Sequence, residues 1–251
     1  MSKIIAVAGK GGTGKTTTAA LIIRHLLKKG ATPLLAMDAD PNANLADSLG
    51  ISVPDTIGSV LSDFMRKRAE LPAGMTRQAY LDMKFHQILK EGKSLDMLVM
   101  GCPDGPGCYC AANSILKDYF ENLSKNYPYI VVDNEAGMEH FSRKTAANID
   151  TLIFCSNYSL KGLKTVTALS AMVDDLKINV KDRYLLVNRT PETLGQEFLD
   201  GIRDTGIPFL GHIVMDAEIE ESEIKGISLI DLPDDSETVK KFEEILNNII
   251  P

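Results

Sequence analysis

The octapeptide Gly9-Lys10-Gly11-Gly12-Thr13-Gly14-Lys15-Thr16 constrains this chain more than any other feature. It satisfies G-x-x-x-x-G-K-[ST] at every fixed position, follows the apolar run Lys3–Ala8 and opens the amphipathic stretch Thr16–Lys29. A strand, a glycine-rich turn and a helix in that order make a phosphate-binding loop. The glycines let backbone N–H groups converge on phosphate oxygens without side-chain clashes, and the positive end of the following helix adds to the attraction. Gly9 to Thr17 therefore surround the phosphates of a nucleotide, with Lys15 reaching the β- and γ-phosphates and the Thr16 hydroxyl binding Mg²⁺.

The rest of the chain repeats this alternation. Candidate strands Lys3–Ala8, Pro33–Met37, Met97–Met100, Tyr129–Asp133, Thr151–Cys155, Arg183–Asn188 and Phe209–Val214 are nearly continuous apolar runs, as in strands covered on both faces. Amphipathic stretches such as Ser114–Lys125, Leu160–Lys177 and Ser236–Ile249 separate them. The expected fold is α/β: a doubly wound, mostly parallel sheet of about seven or eight strands with helices on both faces. Ligands then bind at the carboxyl ends of the strands. There is no internal repeat or Gly/Ser linker, so residues 1–251 read as one P-loop domain, with a mainly helical, irregular insertion around 54–94.

Hydrophobic residues at 44% and charged residues at 24% exclude a disordered chain. No uncharged apolar run approaches the roughly 18 residues that span a bilayer, and the tail Phe242–Pro251 lacks the basic cluster of a membrane anchor. The expectation is a cytoplasmic protein without a membrane partner. A net charge of −7, 6% aromatics and no Trp give no case for nucleic-acid binding either.

Two acidic strand ends accompany the loop. In Asp38-Ala39-Asp40, period two puts both carboxylates on one side of an extended segment. One would hold Mg²⁺ through water while the other orients the attacking water; the alternative is a polar strand end that caps the helix at Ala43–Leu49. Tyr129-Ile130-Val131-Val132-Asp133 is an apolar strand ending in a carboxylate, the Walker B pattern, and Asp133 would hold Mg²⁺ through water. Asn188-Arg189-Thr190-Pro191 ends another strand at the place where GTPases carry N-K-x-D. Its fourth position is not an aspartate, which favours ATP and ADP over guanine nucleotides.

Of four cysteines, three fall at 102, 108 and 110, in a Gly/Pro-rich loop before a helix that Asn113 or Ser114 would cap. Thiols before a helix N-terminus are acidified toward the metal-binding thiolate. One Cys108-Tyr109-Cys110 supplies half of a tetrahedral site, and two copies around a two-fold axis would complete it for Zn²⁺ or Ni²⁺. A redox pair or inert loop thiols are the other readings. Cys155 sits within a strand and reads as structural.

Lys10-Gly11-Gly12-Thr13-Gly14-Lys15-Thr16-Thr17 resembles the deviant Walker A loop of the MinD, ParA and nitrogenase-iron-protein class. The resemblance implies that Lys10 crosses a dimer interface to the partner's nucleotide, that Asp40 orients water beside Lys15, that Asp38 lies near the metal, and that Asn188 touches adenine. Cys108-Tyr109-Cys110 followed by Asn113-Ser114, Gly137-Met138-Glu139-His140, and the ending Leu232-Pro233-Asp234-Asp235-Ser236 look like the CooC/AcsF group of nickel-insertion ATPases. That resemblance implies a homodimer whose cysteines share one Ni²⁺ or Zn²⁺ ion. It also implies a client, carbon monoxide dehydrogenase or acetyl-CoA synthase. It leaves the roles of Cys102 and His140 open. A MinD/ParA-like positioning ATPase and an iron–sulfur reductase like the nitrogenase iron protein are the alternatives.

Overall fold

A computed structural model describes residues 2–40, 43–66, 71–102, 110–135 and 148–250. Seven strands form one sheet: β1 (Lys3–Gly9), β2 (Leu34–Asp38), β3 (Leu95–Val99), β4 (Tyr129–Asp133), β5 (Ile149–Asn157), β6 (Val180–Thr190) and β7 (Phe209–Val214). Their order is β3-β2-β4-β1-β5-β6-β7 and every pairing is parallel. The chain winds outward on one side of β1 through β2 and β3, returns to insert β4 beside β1, and then winds outward on the other side. Winding thus reverses at β1 and β4, the point where parallel sheets open a crevice for ligands.

Helices cover both faces, as the uninterrupted apolar strands require. Side chains alternate along β1, so Ile4, Ala6 and Ala8 face one layer while Ile5 and Val7 face the other. The first layer holds α3 (Ile57–Arg66), α4 (Arg77–Ile88), α5 (Cys110–Ser124), α6 (Leu160–Asp175) and α7 (Gln196–Asp204). The second holds α1 (Lys15–Lys28), α2 (Asn44–Ser48), α8 (Ala217–Lys225) and α9 (Glu237–Asn247). Phe85 and Phe154 in the first layer and Ile22 in the second are fully buried. Each contributes about 1.5–3 kcal/mol relative to exposure. Among the described residues no helix is long and apolar enough to cross a membrane.

Several element bounds shift, two of them by three residues or more. Strand β6 runs from Val180 rather than Arg183, because its ladder with β5 begins at Ile149↔Val180 and carries the charged residues 181–183 along with it. Asn113 and Ser114 are not caps: α5 starts three residues earlier, at Cys110. Ala111 and Ala112 are strong helix formers, and the helix propagates back through them.

Candidate nucleotide site

The carboxyl end of β1 runs directly into the phosphate loop. A Cβ on Gly9 would lie 2.4 Å from the Cys155 carbonyl oxygen, so glycine is what lets the loop leave the sheet against β5. Gly14 starts α1 in the left-handed region, with φ 77°. A Cβ there would come within 2.9 Å of Asn188 Nδ2. Between them, the Lys10 carbonyl accepts hydrogen bonds from Thr13 N (3.3 Å) and Thr13 Oγ1 (2.7 Å), which closes the turn. No side chain caps α1, and its first turn has no acidic residue. By contrast, Thr76 caps α4 and Ser159 caps α6. The N–H groups that open α1 are therefore left for an anion, where the helix dipole favours it.

The register of the sheet brings the acidic residues to the same place. Asp133 pairs with Asp38 across β4 and β2, and with Val7 across β4 and β1. Both carboxylates are fully buried. Thr16 Oγ1 donates to Asp133 Oδ2 at 2.6 Å, while Asp133 Oδ1 is buried with no hydrogen-bond partner. Asp38 is anchored on both oxygens, by Asp40 N (3.0 Å) and Leu45 N (2.8 Å). It thus ties the β2 end to α2, the capping role considered for it in the sequence. Burial pushes the Asp133 carboxyl up to about 7, against the Thr16 hydrogen bond that lowers it. Burial likewise raises Asp38 to about 6, against its two backbone hydrogen bonds.

Lys15 is buried, whereas Lys10 is exposed on the same loop. Gly11, Gly12, Gly14, Lys15, Thr16, Thr17, Asp40 and Arg189 line one cleft of about 480 Å³, within the size range of small-molecule sites. At the base of the loop, Asn188 Nδ2 donates to the Thr13 carbonyl (2.9 Å) and to Thr18 Oγ1 (3.2 Å). With its amide nitrogen committed, Asn188 keeps a buried, unpaired Oδ1. Arg189 follows in the left-handed region, at φ 55°. Such strain in a non-glycine residue concentrates at functional sites.

Cys155 is fully buried in β5, its thiol pushed up to about 12 by burial, in keeping with a structural residue. Cys102 is exposed at the end of β3, and Cys110 opens α5. Cys108 and His140 lie outside the described residues. Among the described residues no three His, Cys, Asp or Glu side chains group as a metal site.

Residues 4–230 match the CobQ/CobB/MinD/ParA nucleotide binding domain family. The chain belongs to that family. An uncharacterized ATP-binding protein of Methanocaldococcus jannaschii is 41% identical over 251 residues, covering 98% of each chain. The carbon monoxide dehydrogenase accessory protein CooC of Rhodospirillum rubrum is 27% identical over 239 residues, covering 91% of this chain and 89% of its own. Among solved structures, the septum site-determining protein MinD of Pyrococcus horikoshii, complexed with Mg-ADP, superposes with a TM-score of 0.69 at 20% identity. The alignment covers 100% of this chain and 96% of that one.

The family's nucleotide-binding fold has walls that the sequence reading missed. Asn44, Asp47 and Ser48 of α2, Ser222 of α8, and Gly226, Ile227 and Leu229 beyond it line the phosphate cleft. A second pocket joins Gly14, Asn188 and Arg189 to Ile213, Met215, Asp216 and Phe242. Apart from Gly14, Asn188 and Arg189, none of these carries a motif. The one signal was position, since Met215 and Asp216 follow the carboxyl end of β7.

Proposed function

We propose that this chain is a Mg²⁺-dependent ATPase that works as a homodimer, and that its cargo is a nickel or zinc ion held by the cysteines of two copies. The observation that carries the ATPase reading is the Thr16–Asp133 pair beside Lys15. The Thr16 hydroxyl donates its one hydrogen to Asp133, which leaves its lone pairs available to a cation. The unpaired Asp133 Oδ1 supplies a second buried acceptor for a metal-bound water. Oxygen donors of this kind suit Mg²⁺. Thr16 would hold the ion directly, with Asp133 and Asp38 acting through water. When bound, the ion would neutralise charge that develops on the phosphates during transfer.

The remaining work belongs to the chain. Backbone N–H groups of Gly11 to Thr17 and the Lys15 ammonium hold the phosphates. Asp40, lining the same cleft, orients the attacking water. The free Asn188 Oδ1 is an acceptor that the 6-amino group of adenine would satisfy, whereas guanine carries a carbonyl at that position. Lys10, exposed on the loop, reaches the nucleotide of a second copy and makes hydrolysis depend on dimerisation.

The cargo reading rests on the Cys108-Tyr109-Cys110 motif and on the similarity to CooC. Two copies closing over ATP bring four thiolates to one ion. Hydrolysis loosens the pair, and the metal passes to a carbon monoxide dehydrogenase or acetyl-CoA synthase client. The fold likeness to MinD favours a second reading, a positioning ATPase without metal cargo. Equilibrium dialysis against Ni²⁺ and Zn²⁺ separates the two. Stoichiometric binding that is lost in Cys108→Ser and Cys110→Ser supports the metallochaperone; a wild type that binds neither ion stoichiometrically supports the positioning ATPase.

A further inference from the structure

The phosphate cleft has one wall that belongs to no strand and no α-helix. Gly226, Ile227 and Leu229 line it, between the end of α8 and a single 3₁₀ turn at Leu229–Asp231. Local contacts hold this wall only in part. Ser228 Oγ accepts from Ile230 N at 3.3 Å, and Ser228 packs so closely on the end of α2 that a Cβ on Gly50 would lie 3.2 Å away from its Cβ.

The stronger fastening comes from α1. Arg24 lies nine residues beyond Lys15 on the same helix and is 3% exposed. Its Nε donates to the Ile230 carbonyl at 3.2 Å and its Nη2 to the Leu232 carbonyl at 2.8 Å. The rest of the guanidinium meets Glu243 (3.2 Å) and Asp234, and Lys28 bridges the same two carboxylates at 3.0 and 2.6 Å. A buried cation needs such partners, but one ammonium would satisfy the carboxylates equally well. Only a rigid fork of donors can hold two carboxylates and two main-chain carbonyls at once.

We propose that Arg24 is a positioning residue for nucleotide binding. It ties the wall at 226–232 to the helix that carries the phosphate loop. The two sides of the cleft then keep a fixed separation, and nucleotide affinity depends on a residue that does not line the cleft. This inference rests on the reading of the cleft as a nucleotide site.

Two kinds of variant split the contacts. Arg24→Lys keeps the charge and loses the fork; the double variant Asp234→Asn with Glu243→Gln keeps both carbonyl bonds and loses the ion pairs. Titration with ADP should show the dissociation constant of Arg24→Lys raised about tenfold, the effect of losing one charge-assisted hydrogen bond. KM for ATP should rise in parallel while kcat stays put. The carboxylate variant should melt at lower temperature yet bind ADP as the wild type does. Unchanged affinity in Arg24→Lys overturns the proposal, as does equal weakening in the carboxylate variant. If wild type itself bound no ADP, the nucleotide reading would fail instead. Should Arg24→Lys not fold, Arg24→Gln, which keeps one amide donor, takes its place. Hydrogen exchange in the wild type gives an independent check: amides at 226–232 should slow when ADP is added, and unaltered exchange contradicts the tie.

Discussion

The two ends of the nucleotide cleft are built by different means. The phosphate end is almost contiguous: Gly9 to Thr17 supply the cradle from one turn, and register alone adds Asp38 and Asp133 from neighbouring strands. The Asn188 end and the far wall are assembled from β6, the residues after β7, α8 and the 3₁₀ turn, which come together only when the sheet is complete. The parts of the first end all lie at or just beyond the ends of strands in the sheet. The second depends on long-range clasps such as Arg24 to Leu232. Chemistry should therefore fail sharply when the first end is altered, and affinity should change gradually when the second is.

The largest expected effect is at Asp133. Asp133→Asn should lower Mg²⁺-dependent ATP hydrolysis by roughly 10²–10³-fold, the scale for losing one electrostatic stabiliser of transferring charge. The same substitution should stabilise the empty protein at alkaline pH. Asp133 has a folded-state pKa of about 7, above its ordinary 3.8, so the folded chain holds a proton that the unfolded chain has released. That contribution is fully present below about pH 4 and is lost as pH rises through 7. Thermal melting without nucleotide should thus fall between pH 5 and pH 8 in the wild type, and fall less in the variant. Equal slopes would show that burial does not perturb Asp133.

Asp40→Ala should come next, keeping ATP binding while slowing turnover about 10²-fold, as for a lost water-orienting group. Matched kcat values would remove its assignment. Asn188→Ala tests the other end. ATP affinity should drop about tenfold with little change in kcat, and the preference for ATP over GTP should narrow. A collapse of kcat with unchanged affinity would erase the distinction between the two ends.

How much was legible follows the same division. The sheet could be read because its strands are buried on both faces and so carry unbroken apolar runs; β4 was placed to the residue, Tyr129–Asp133. The phosphate loop was legible because its chemistry requires fixed residue types at fixed spacing. The start of β6 was hidden by the charged residues Lys181 and Asp182, and the start of α5 by caps that the helix bypasses. Ile227, Met215 and Arg24 left no trace, since an apolar wall or a buried arginine gains its role from partners some two hundred residues away in sequence.

The reading of function turns on whether ATP closes two copies on one shared ion. Mass measurement by light scattering, coupled to metal analysis of the same peak, tests this directly. With ATP and Ni²⁺, the account predicts a species of two chains carrying one nickel, which is absent in Cys108→Ser. A species with one nickel per chain, or a metal-free pair that forms equally well without the thiols, would contradict it.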